Sequence, residues 1–126
     1  VIELVLASRC TACGDCASVC PTHVFDLGAE GFPVIARQQD CQTCFMCELY
    51  CRADALYVGP DHDRAVPVDP AEILNSGLLG QYRRDSGWHE WAADSEYASQ
   101  FWRMSQIMTG GRDITAARKR PGKTAG

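Results

Sequence analysis

Nowhere in the 126 residues does an apolar run approach the roughly 20 residues that a bilayer-spanning helix needs. No apolar signal segment precedes the first cysteines either. We therefore expect no membrane association and a reducing, cytoplasmic setting. Histidine is scarce: His23, His62 and His89 stand singly, as packing or polar residues usually do. No residue stands out as an acid, base or nucleophile, so no catalytic residue is expected in this chain. Cysteine is absent beyond position 51, which confines thiol chemistry to the first part of the chain. Five basic residues, Arg112, Arg118, Lys119, Arg120 and Lys123, gather near the C-terminal end with no aromatic among them to stack a base. With a net charge of −4 overall, the chain is not expected to bind nucleic acid.

The eight cysteines form two copies of one spacing, C-x2-C-x2-C-x3-C: Cys10, Cys13, Cys16 and Cys20, then Cys41, Cys44, Cys47 and Cys51. Three thiolates at two-residue intervals can wrap one corner of an iron–sulfur cube, while a fourth beyond a longer gap points to a second cube. The pattern predicts two [4Fe-4S] clusters. Zinc and disulfides are the alternatives; a zinc site wants two pairs per ion, whereas each half here has three close cysteines and one offset.

A shift of 31 residues superposes the two cysteine sets and lays Phe25–Gly28 over Leu56–Gly59. Residues 1–60 therefore read as one unit written twice: a strand, a cysteine loop, a helical turn and a closing strand. The leading strands are Ile2–Leu6 and Pro33–Ala36, the closing ones Phe25–Leu27 and Leu56–Val58, and the turns run through Ala17–Val19 and Glu48–Tyr50. Val19, Val24, Phe25, Phe45, Met46, Leu49 and Leu56 are expected to pack round the cubes. A head of about 60 residues is marginal without cross-links, so metal–thiolate bonds are expected to form part of the fold.

The first copy runs on into Pro21, and in this the chain resembles the two-cluster bacterial ferredoxins over about residues 1–60. That resemblance implies that Cys10, Cys13, Cys16 and Cys51 hold one cluster, and Cys20, Cys41, Cys44 and Cys47 the other. Where the second copy would usually carry proline this chain has Arg52, which either raises the potential of a nearby cluster or is simply solvated. Gly14 suits a tight turn or a close approach of backbone to sulfur, and His23, three residues past Cys20, is a candidate for tuning a cluster with pH.

After Gly59-Pro60 the composition changes. Asp69-Pro70-Ala71-Glu72 predicts a helix start with Asp69 as N-cap and Glu72 placed for a capping box. Ile73, Leu74, Leu78 and Tyr82 continue it, although Gly77 and Gly80 weaken it by about 1 kcal/mol each relative to alanine. A second helix is expected from about Glu96 to Met108, with Tyr97, Phe101, Met104 and Met108 in one stripe and Trp102 widening it, ended by Gly110-Gly111. The fold class expected is thus α+β: a ferredoxin-like two-[4Fe-4S] domain with a pseudo-twofold internal repeat (1–60), followed by an extended C-terminal tail with about two helices (61–126). The tail reads as a partner-binding clamp with a mobile basic end, or else as a segment folded back on the head of a free-standing soluble ferredoxin.

A ferredoxin head with an arginine- and aromatic-rich tail also resembles the small iron–sulfur subunits that partner flavoproteins of the fumarate reductase and adenylylsulfate reductase type. Gln42 stands where the latter has tryptophan, a departure that points away from adenylylsulfate reductase itself. The resemblance implies an electron-transfer subunit in a hetero-oligomer, relaying electrons between an FAD-containing catalytic subunit and an external donor or acceptor, with FAD only in the partner.

Overall fold

The computed structural model describes residues 1–97, 102 and 104–119. Four short strands, β1 (Ile2–Val5), β2 (Phe25–Leu27), β3 (Pro33–Ile35) and β4 (Leu56–Val58), make two antiparallel pairs, β1 with β4 and β2 with β3. Ile2 faces Val58 and Val5 faces Leu56; Phe25 faces Ile35 and Leu27 faces Pro33. Helices α1 (Asp15–Val19) and α2 (Met46–Tyr50) follow the third-from-last cysteine of each set and pack on each other.

The 31-residue offset recurs in the hydrogen bonds. Gly28 N–H donates to Phe32 O at 2.7 Å, and Gly59 N–H donates to Val1 O at 2.8 Å. Arg37 N–H donates to Val24 O at 3.0 Å, and Leu6 N–H donates to Ala55 O at 2.7 Å. The first strand of the head closes on its last, so the cysteines of the second set are brought back beside those of the first. A two-stranded sheet is marginal alone; these two share a core of Ile2, Val24, Phe25, Phe45, Leu56 and Val58 with Cys16 and Cys47.

Beyond the head come α3 (Pro70–Ser76), α4 (Gln81–Asp85) and α5 (Met104–Lys119), with a 3-10 turn at His89–Ala93. Asp69 Oδ1 caps α3 by accepting from Ala71 N–H at 3.0 Å, and Pro70 occupies its first turn. The single helix expected through Tyr82 is two. Gly77 (φ +80) ends α3 and Gly80 (φ +78) starts α4, both left-handed, as glycine readily adopts. The break lets adjacent Leu78 and Leu79 both turn inward, each 6 % exposed, where one continuous helix would splay them about 100° apart.

The second expected helix is also corrected. Glu96 and Tyr97 lie in a turn, with Glu96 N–H donating to Asp94 Oδ1 at 2.8 Å. Phe101 lies outside the described residues, and Trp102 is 61 % exposed rather than part of a packed stripe. Helix α5 runs straight through Gly110-Gly111. These glycines serve close packing instead: a Cβ on Gly110 would stand 3.1 Å from Leu78 Cδ2, and one on Gly111 would stand 3.0 Å from both Pro60 Cδ and Tyr57 Oη.

The tail is not extended over its described length. Ile73, Leu78, Leu79 and Ile107 form a second apolar cluster around Tyr57 of β4, joined by Leu4, Leu6, Val68, Tyr82 and Ile114. Full burial of one such side chain contributes about 1.5–3 kcal/mol, so this cluster holds the tail on the outer face of the β1–β4 sheet. Tyr82 of α4 stacks on Phe45 with ring centroids 4.4 Å apart. The basic end, residues 120–126, lies outside the described residues.

Candidate metal centres

Each cysteine loop departs from ordinary backbone geometry at matched positions. Ala12 (φ +59) corresponds to Thr43 (φ +53), Gly14 (φ +79) to Phe45 (φ +62), and His23 (φ +56) to Asp54 (φ +52). A residue with a Cβ costs about 1–2 kcal/mol in this region, and five of these six are not glycine. Such strain persists where surrounding structure holds it and tends to mark functional segments.

The geometric return is a set of amides turned onto sulfur. Ala12 N–H donates to Cys10 Sγ and Thr43 N–H to Cys41 Sγ, both at 3.4 Å. Val24 N–H donates to Cys20 Sγ at 3.4 Å and Ala55 N–H to Cys51 Sγ at 3.3 Å, again a matched pair. Ile2 N–H adds a bond to Cys41 Sγ at 3.3 Å. Donors aimed at sulfur favour its anionic form, which is the form that binds metal.

The sulfurs border two cavities. One is lined by Cys20, Cys41, Cys44 and Cys47 together with Ile2, Thr22, Val24, Phe25, Gln42, Phe45 and Val58. The other is lined by Cys10, Cys13, Cys16 and Cys51 together with Thr11, Gly14, Pro33, Ala53, Ala55 and Leu56. The two are alike in size and in their apolar lining, so the same kind of guest suits both. Among the described residues no three histidine, cysteine or carboxylate side chains converge as they would on a single ion. Four thiols spread round an apolar void suit a polynuclear group better than a zinc ion, which draws its four ligands to within about 2.3 Å.

Burial pushes the Cys16 thiol up to about 11, with a smaller rise from the neighbouring cysteines, and burial raises Cys47 further. Cys51 is also raised by burial, against the pull of the Ala55 and Ala53 amides. Buried thiols of this kind hold their protons until a metal displaces them, so loading releases protons. Cys13 and Cys44, one in each cavity, are exposed.

Of the apolar residues expected at the cubes, Val24, Phe25, Phe45 and Leu56 line the cavities, whereas Val19, Met46 and Leu49 do not. His23 is exposed and lines neither. Arg52 is exposed, with Nη2 3.5 Å from His89 Nδ1, and both border a polar cleft that opens on Cys13. His62 borders a comparable cleft beside Cys41. Sequence reasoning missed these two placements of histidine, because both depend on how the tail folds back.

Residues 3–52 match the family model described as a 4Fe-4S dicluster domain. Among curated proteins the chain is 35 % identical over 46 residues to a ferredoxin of Methanothermococcus thermolithotrophicus, covering 36 % of this chain and 75 % of the relative. It is 37 % identical over 49 residues to an uncharacterized ferredoxin of Methanocaldococcus jannaschii, covering 39 % and 77 %. A ferredoxin-type protein of Haemophilus influenzae shares 48 % over 31 residues, only 18 % of that relative's length. No solved structure matches the chain. The chain belongs to the 4Fe-4S dicluster ferredoxins: it is an iron–sulfur electron-transfer protein of ferredoxin type, and its cofactors are [4Fe-4S] clusters. Among the described residues no helix is long and apolar enough to cross a membrane.

Proposed function

We propose that the chain is a self-contained two-cluster electron carrier, with Cys10, Cys13, Cys16 and Cys51 holding one [4Fe-4S] cluster and Cys20, Cys41, Cys44 and Cys47 the other. The observation that carries this reading is the pair of cysteine-lined cavities, each of which draws three thiols from one set and one from the other. Such clusters supply reversible one-electron chemistry when bound; the chain's part is to hold them, to keep water off them with Phe25, Phe45 and Leu56, and to tune them through amides aimed at sulfur.

The second reading is a subunit whose tail clamps an FAD-containing partner. Of the apolar residues that would form the clamp, Ile73 and Leu78 are buried against the head, while Leu74 and Trp102 are exposed. The carrier reading needs no such partner and leaves electron donor and acceptor to transient encounters.

Serine substitutions test the assignment, with each remaining cluster followed by electron paramagnetic resonance after reduction. Cys51→Ser should perturb the same signal as Cys13→Ser, and Cys20→Ser the same signal as Cys44→Ser. If Cys51→Ser instead groups with Cys44→Ser, each motif holds its own cluster and the crossed assignment is wrong.

A further inference from the structure

The internal repeat provides a control built into the molecule. The two sheets are related by the 31-residue shift apart from a bulge between Ile2 and Leu4 that β2–β3 lacks, and under that shift Asp26, Gly28, Phe32 and Val34 correspond to Tyr57, Gly59, Val1 and Glu3. The second face is roofed by the tail: Tyr57 is 3 % exposed and Val1 5 %, and the Glu3 carboxylate accepts from Val66 N–H. The first face is bare. Val34 is 52 % exposed and Phe32 36 %; Leu27, also exposed, pairs with Pro33 and lies on the opposite face, beside Gly14. Of five large exposed hydrophobics among the described residues, three lie on this hairpin and two of them on this face. Scattered exposed apolar residues need no explanation, but a cluster on one short hairpin does.

The bare face also has a charge and a position. Asp26 and Glu30 edge it and are exposed; Arg37 pairs with Asp26 at 2.5 Å and offsets one of these two negative charges. Behind it, Pro33 lines the cavity of Cys10, Cys13, Cys16 and Cys51, and a Cβ on Gly31 would stand 3.6 Å from Ala12 in that cysteine loop. One thin sheet separates the face from the loop. A second copy of this chain is a poor occupant, since each copy carries a net charge of −4 before any cluster is added and like charges repel.

We propose that the outer face of the β2–β3 hairpin, centred on Phe32 and Val34 and edged by Asp26 and Glu30, is the docking surface for a basic electron-transfer protein. This rests on the electron-carrier reading above. The apolar centre supplies contact area and the acidic edge supplies orientation and speed of encounter.

Cytochrome c, a small basic electron-transfer protein, is the probe. Its oxidised form is titrated calorimetrically into the oxidised, cluster-loaded protein at low ionic strength, so that binding is read without electron transfer. Val34→Lys should weaken binding about fivefold, the effect of one unfavourable charge placed within an interface. Leu74→Lys makes the same charge change at a residue 47 % exposed on α3 and should weaken it by less than about twofold. The gap should close as salt shortens the screening length. Equal effects of the two substitutions would overturn the proposal, as would sedimentation showing a wild-type dimer that Val34→Lys dissociates. A protein lacking iron–sulfur absorption would defeat the carrier reading instead, and the titration would still judge the surface.

Discussion

Gly80→Ala should loosen the tail from the head by more than backbone propensity explains. Gly80 sits at φ +78, where alanine costs about 1–2 kcal/mol. In addition, a Cβ there would lie 2.5 and 2.6 Å from the two carboxylate oxygens of Asp54, so Asp54 has to move. Asp54 lies in the loop after Cys51, half-buried and close enough to Arg83 to feel its charge. Displacing it adds a steric and electrostatic cost on the order of 2 kcal/mol, within the range of overpacked sites. Gly77→Ala is the matched control, since Gly77 has φ +80 and nothing within 4 Å of the added atom. Anaerobic thermal unfolding of the loaded protein should place Gly80→Ala about 3–4 kcal/mol below wild type and Gly77→Ala about 1–2 kcal/mol below. In a background of Asp54→Gly the two should become equal, as a double-mutant cycle requires when the extra cost is the pairwise contact. Equal destabilisation of the two single variants would refute the packing of Asp54 over Gly80, and with it this attachment of α4 to the Cys51 loop.

Further outcomes follow from the same contacts. Alanine at Gly111 gains about 1 kcal/mol of helix propensity but meets Pro60 and Tyr57, so a net loss of about 1 kcal/mol is expected on thermal unfolding; Gly110→Ala, facing the flexible end of Leu78, should be near neutral. The Arg83 side chain is 2 % exposed while its partner Glu90 is half exposed, so Arg83→Ala should cost about 2–3 kcal/mol in denaturant unfolding, chiefly through the lost packing of its stem. Arg83→Met, which keeps the apolar stem, should cost clearly less. Stripping the metal with chelator and oxidant should abolish cooperative unfolding of residues 1–60, seen as loss of amide-exchange protection at β1–β4, because a head of about 60 residues is marginal without metal–thiolate cross-links.

Legibility in the sequence followed the strength of local signals. The strands and short helices of the head lie where β-branched content and the 31-residue offset put them, because each local preference agrees with the repeat. The Asp69-Pro70 helix start was equally legible, since capping is a local event. Glycine was ambiguous: Gly77 and Gly80 break a helix while Gly110 and Gly111 sit inside one, and only the neighbours Leu78, Pro60 and Tyr57 decide which. The left-handed turns at Ala12, Thr43 and Phe45 carry no glycine signature. The burial of Arg83 and the approach of His89 to Arg52 depend on tertiary folding of the tail, which no short window of sequence contains.

Iron and acid-labile sulfide should be counted per chain on anaerobically isolated protein. Two [4Fe-4S] clusters on eight cysteines require about eight of each, with a brown colour that bleaches on reduction. About two zinc ions, or a colourless protein without sulfide, would contradict the account.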